Sequence, residues 1–218
     1  MENKFIVRLT LKPDQLIRLQ ALQANFVEIC NAISPVVQAA RCWNRVVLHH
    51  MVYHKMREQF PNTGSQMVCN AIYSVCRAAR TILQHPQSPW NINLNPDVRL
   101  PNILFLPQSP VFFDRHTLNL KGKQLSMYTL DGRIRFDLSL SAQEQAMFHE
   151  EKLKEVLLLS DANGFSLHFY FGAEADVEGA DRSVILPNNI MVTHHAIQQP
   201  ITQPMQHTTQ PMAMASWA

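Results

Sequence analysis

The stretch FPNTGSQMVCNAIYSVCRAAR, Phe60 to Arg80, decides how the rest of the chain is read. Pro61 and Gly64 punctuate its start as a tight turn, and Ser65 stands where a helix N-cap belongs. Past the cap, Val68, Ala71, Ile72, Val75, Ala79 and Ile82 share one helical stripe, which predicts a helix lying on a core. Gln66, Asn70, Ser74, Arg77 and Thr81 run down another side, and their amides and guanidinium need a use of their own.

Upstream, FIVRLTLK at residues 5–12 alternates like a strand, and Pro13-Asp14 opens a helical pattern through Leu16, Leu19, Leu22, Phe26, Ile29 and Ile33. Ser34-Pro35 reads as a cap with proline at the first helical position, restarting a helix through Val37 and Ala40. NRVVLHHMVYHKMREQF is helical from Asn44 to Phe60, and the opening stretch supplies a last helix to about Gln84. From His85 to Pro110 prolines and asparagines dominate; Trp90 and ILFL at 103–106 anchor an ordered crossing loop. PVFFD (110–114), TLNL (117–120), QLSMYTL (124–130) and RIRFDLSL (133–140) then predict a β-meander, with Asp131-Gly132 as its strongest hairpin signal. Ser141 and Glu144 form the capping box of a short helix over 141–154, and a further hairpin turns around Asp161–Gly164. From about Gln198 the chain is uncharged and rich in Gln, Pro and Met, a composition expected to stay disordered or to order on a partner, with Trp217 as a docking residue.

With 218 residues and 46% hydrophobic composition, the chain is long enough for one or two domains with a real core. No apolar run approaches the roughly 20 residues that span a bilayer, and MENKFIVRLTLKP lacks the apolar run of a signal peptide. The expected setting is a prokaryotic cytoplasm with no membrane partner. Cys30, Cys42, Cys69 and Cys76 form no CxxC pair and are expected as reduced, buried thiols. Net charge is only +2, but residues 1–90 hold ten Lys+Arg against four Asp+Glu, and the remainder nine against thirteen. A basic first half suits either a polyanion partner or an ordinary solvated helix surface.

Several chemistries find little footing. His50 and His54 are spaced for zinc, but neither they nor His194-His195 have a third ligand nearby in sequence. Glu150, Glu151 and Asp137 read as solvated charges rather than an acid–base pair. Neither GxGxxG nor GxxxxGK occurs, which removes the glycine-rich phosphate loops.

Three phrases in order, FVEICNAIS, NRVVLHHMVYHKMREQF and SQMVCNAIYSV, resemble the N-terminal half of the TnpB proteins, insertion-sequence-encoded RNA-guided nucleases related to type V CRISPR effectors. In that family a phrase like F-x-E-x-C-N-x-I-S is followed by L-H-x-x-x-Y-x-x-x-R-x-x-F and S-Q-M-x-x-x-A-I-x-x-V. The matching residues are Phe26, Glu28, Cys30, Asn31, Ile33, Ser34, then Leu48, His49, Tyr53, Arg57, Phe60, then Ser65, Gln66, Met67, Ala71, Ile72 and Val75. TLDGRIRFDL and GFSLHFYF look like later strands of the family, so the similarity covers most of residues 5–172.

The resemblance implies an α+β fold: an oligonucleotide-binding-type β-barrel with a helical bundle inserted after the first strand. Residues 1–13 would hold that strand, 14–84 the helical recognition lobe, 85–109 the crossing loop and 110–172 the barrel hairpins with their short helix. Residues 173–197 would be a connector or a remnant of the family's RuvC nuclease domain, and 198–218 the tail. Family members carry a metal-binding aspartate in a G-[IV]-D-x-G strand. Here SVILPNNIMVT puts Ile185 in that place, with Asn188 and Asn189 as a remnant of the following turn, and the last 25 residues hold no acid. Isoleucine offers no hard oxygen ligand, and two-metal cleavage needs a carboxylate cluster. This chain is therefore expected to bind without cutting, with no cofactor or metal of its own.

The polar side of the opening helix gains a use from the same resemblance. Gln66 and Asn70, one turn apart, have bidentate amides of the kind that read adenine in a major groove. Arg45, Lys55, Arg57, Arg77 and Arg80 would contact phosphates, and His49 and Tyr53 would stack on or bond to the same duplex. Solvated amides and interhelical packing are the plainer alternatives for these residues. The expected partners are a guide RNA, target DNA and a RuvC-bearing protein chain. The rival readings are a DNA-only transposon accessory or repressor and an inactive, truncated relic, although intact caps, hairpin turns and apolar periodicity argue against decay.

Overall fold

The computed structural model describes residues 3–138, 140–172 and 190–193. Ile185, Asn188, Asn189, His194, His195 and the tail from Gln198 with Trp217 lie outside the described residues. The class is α+β. Strand β1 (Asn3–Arg8) leads into three helices, α1 (Pro13–Ala40), α2 (Arg45–Gln59) and α3 (Ser65–Gln84), before the remaining strands begin. No described helix is long and apolar enough to cross a membrane.

Alternating apolar residues draw the later segments into three open sheets. Strands β2 (Asn102–Phe105), β3 (Val111–Phe113), β4 (Leu118–Lys121), β5 (Gln124–Thr129) and β6 (Gly132–Asp137) precede α4 (Ala142–Glu150). Strands β7 (Leu153–Asp161), β8 (Gly164–Phe171) and β9 (Ile190–Thr193) follow it. The sheet orders are β1-β8-β7-β3, β4-β5-β6 and β2-β9, every pairing antiparallel. The capping box of α4 and the hairpin at Asp161–Gly164 form as predicted.

Three local expectations are corrected. No break occurs at Ser34-Pro35, because α1 runs through it as a single helix ending at Arg41, the left-handed C-cap at φ 47°. Pro35 removes one helical N–H, but it faces solvent, while Ile33 and Val37 on either side stay buried and keep the helix continuous. The N-cap of α3 is Gly64, not Ser65: the Gly64 N–H donates to Tyr128 Oη at 2.7 Å, and a Cβ there would meet the Tyr128 ring at 3.1 Å. The meander has three strands rather than four, since β3 pairs with β7 instead. Asp114 causes the departure: its Oδ1 accepts from the His116 and Thr117 backbones and turns the chain from one sheet to the other.

The crossing loop is held by a row of polar side chains along α1. The Asn31 carboxamide pairs with both backbone groups of Phe105 at 3.0 and 2.8 Å, acting as one more rung on β2. Gln38 donates to Leu100 O, and Arg41 donates to Pro96 O and Val98 O. Buried Gln23 donates to Ser109 O and accepts from Ser160 Oγ, which ties α1 to β7 as well. The bonds from Gln23, Asn31 and Gln38 satisfy backbone carbonyls that would otherwise be costly to bury.

Candidate nucleic-acid interface

Helix α2 places a cation or a ring at every fourth position, Arg45, His49, Tyr53 and Arg57, so the four follow one slowly turning line beside the buried seam of Leu48, Val52 and Met56. Asn44 fixes the helix start by accepting from the Val46 and Val47 N–H groups. His49 stacks on Tyr53 with ring centroids 4.6 Å apart and planes at 19°. The Arg45 guanidinium lies over the Tyr73 ring of α3 at 5.3 Å, and Tyr73 leans on Phe112 of β3 at 4.6 Å.

Helix α3 supplies the second wall. Its apolar stripe is buried as the periodicity predicts, and the line Gln66, Cys69, Tyr73, Arg77 and Arg80 lies away from it. Two thiols show how closely the cations gather. Cys69 is pushed up by burial, opposed by the charges of both Arg45 and Arg57. Cys76 is raised to about 11, again by burial, against the charges of Arg80 and Arg45. Arg45, Arg57 and Arg80 therefore border one seam between α2 and α3, interleaved with His49, Tyr53, Tyr73 and Phe112.

The structure does not bring the other expected residues to this strip as free groups. Asn70 is 1% exposed and donates to Phe112 O and Thr117 Oγ1 at 3.2 and 3.3 Å. Gln66 donates to Asp114 Oδ2 at 2.6 Å. These amides join α3 to the β3–β4 turn, so the adenine-reading role is corrected: their donors are already spent on the protein. Arg77 is likewise paired. Burial works against its charge, but Glu155, at 2.6 Å and only 10% exposed, outweighs that and raises the guanidinium above its ordinary value. Arg57 donates to Thr63 O and braces the turn before α3. Ser65 is exposed at the first residue of that helix. Lys55 is exposed but on the far flank of α2: at about 100° per residue it lies beyond the buried seam from Arg45. Arg45 and Arg80 remain as exposed cations with no ion pair among the described residues.

Tyr73 and Phe112 were absent from the sequence expectation. Tyr73 shares the stripe of Gln66, Asn70 and Arg77 and was within reach of helical spacing, whereas Phe112 reaches the strip only through the β3–α3 contact. Among the described residues no group of three or more His, Cys, Asp and Glu is placed to hold a metal ion. Neither protein-family models nor curated proteins give a match to this chain.

Proposed function

We propose that this chain is a nuclease-lacking subunit of an RNA-guided DNA-targeting complex, binding a guide RNA and target DNA, with any cleavage supplied by a RuvC-bearing partner chain. The observation that carries the reading is the pair of exposed cations Arg45 and Arg80 beside the rings of His49, Tyr53, Tyr73 and Phe112, with Arg57 bracing the turn at the far end. Cations follow a phosphate backbone and rings stack on splayed bases, a combination suited to single-stranded or structured RNA. Sequence choice would then fall to base pairing, consistent with a strip whose nearby amides are occupied. The helical insertion after β1 fits the TnpB-like order. In the finer reading, sheets β1-β8-β7-β3 and β4-β5-β6 are the two halves of an oligonucleotide-binding-type barrel, open between β1 and β6.

The test is binding of the purified chain to structured RNA and to duplex DNA over a salt series. RNA binding should weaken linearly in log–log form, and R45Q with R80Q should make the slope shallower by about 0.7 for each phosphate no longer neutralised. Co-elution with a RuvC-bearing chain and RNA tests the complex itself. Equal or better binding to duplex DNA, with no RNA preference, would instead support a DNA-only accessory protein.

A further inference from the structure

Two strand edges face one groove of about 590 Å³, whose walls are Ile6–Lys12 on one side and Arg135–Leu138 on the other, with Gln15 and Glu144 at its rim. On β1, Leu9 N donates to Phe165 O; by the alternation of an antiparallel ladder the backbone groups of Lys4, Ile6 and Arg8 point away from β8. On β6, Leu138 N donates to Lys123 O, so those of Arg133, Arg135 and Asp137 point away from β5. Neither edge has a strand partner among the described residues.

Gln15 measures the gap. Its Oε1 accepts from Lys12 N at 3.0 Å and its Nε2 donates to Arg135 O at 3.3 Å. At the Lys12 end of the groove, where the chain has left β1 for α1, a single carboxamide the size of one peptide group thus bridges the two walls with a hydrogen bond on each side. That is the width of one inserted strand, which needs wall strands about twice 4.8 Å apart.

We propose that this groove receives an extended, acidic segment of a partner protein as an added strand, completing the sheet between β1 and β6. Val7, Leu9, Leu11, Phe136 and Leu138 give its floor an apolar character for every second side chain. Lys4, Lys12 and Arg135 are exposed around it without an ion pair among the described residues. On the acidic side, Asp161 is held by Arg8, and the carboxylates of Asp137 and Glu144 leave these cations in the majority. The charge complement is an acidic strand. Such cations also discourage two copies of β1 from pairing, because antiparallel pairing about Ile6 would set Lys4 against Arg8. The site is independent of the nucleic-acid reading and lies on different elements from the α2–α3 strip.

The probe is a blocked peptide of alternating Glu and Val, compared with its Lys–Val counterpart and with a uridine oligonucleotide. Binding is followed by fluorescence anisotropy and by hydrogen exchange at residues 4–12 and 133–137. The Glu–Val peptide should bind saturably, about tenfold tighter than Lys–Val, and protect those amides. Ile6→Pro should abolish binding with the circular dichroism unchanged, since proline is tolerated where an edge-strand N–H faces outward. Arg135→Glu, an exposed change, should invert the preference between the two peptides. Equal binding of both peptides, protection elsewhere, or unaltered binding to both variants overturns the proposal. Preferential protection of these edges by the oligonucleotide overturns it too, and assigns the groove to nucleic acid.

Discussion

Asn70 donates two hydrogen bonds from a position that water scarcely reaches, so removing its amide leaves Phe112 O and Thr117 Oγ1 without that donor. Asn70→Ala is expected to cost roughly 1–3 kcal/mol in urea unfolding, the range for a buried group left unsatisfied. The thiols divide by the same criterion of access. Cys30 and Cys76 are buried and burial raises both, whereas Cys42 and Cys69 are half-buried. At about pH 8 a thiol reagent should therefore modify Cys42 first in the folded protein, Cys69 more slowly because burial raises it as well, and reach Cys30 and Cys76 only on unfolding.

Among the elements, β1 is closed onto the β7–β8 hairpin by an exposed, two-pronged pair, with Arg8 donating to both Asp161 oxygens at 3.1 and 2.8 Å. The Arg8 hydrogen bond, then the Asn163 N–H, lowers the Asp161 carboxyl from 3.8 to about 2. A depressed carboxylate stabilises the fold above its unfolded value, and that contribution is lost as pH falls through its folded value. Asp161→Asn should thus be less stable than the wild type near neutrality. The difference should close between pH 3.8 and about 2, measured by thermal unfolding across an acid series. The helices obey a simpler rule. The α3 stripe and the α2 seam are buried as their spacing foretells, while Pro35 shows that a strong local stop signal yields when the apolar seam on both sides continues.

Across the molecule, the arginines of α3 separate structural from binding roles. Arg77 holds α3 to β7 through Glu155, whereas Arg80 is exposed and without an ion pair among the described residues. Arg77→Ala should lower stability by about 2 kcal/mol, the scale of a charge-assisted hydrogen bond, and affect RNA binding through that loss. Arg80→Ala should leave the unfolding midpoint unchanged and weaken RNA binding at low salt, a split read by running denaturation and salt titration on the same samples. An Arg80 variant with normal affinity at every salt concentration would remove α3 from the proposed interface.

The mixed class, a helical segment between the first strand and the later ones, the α4 capping box and the β7–β8 hairpin were legible in the amino-acid order, whereas the unbroken run of α1 through Pro35 was not. Those features depend on periodicity and on turn chemistry confined to a few neighbouring residues. The basic helical half was legible for the same reason, as was the line Arg45, His49, Tyr53 and Arg57. What the polar groups do emerged only on folding. Gln66, Asn70 and Arg77 look free on an isolated helix, but Asp114, the Phe112 carbonyl and Glu155 come from strands many residues away and claim them. The open edges of β1 and β6, and the Gln15 amide that joins the start of α1 to β6, follow equally from contacts between distant segments. Local spacing fixes which face of an element a side chain occupies; what that face meets depends on contacts between distant segments, which the folded chain alone establishes.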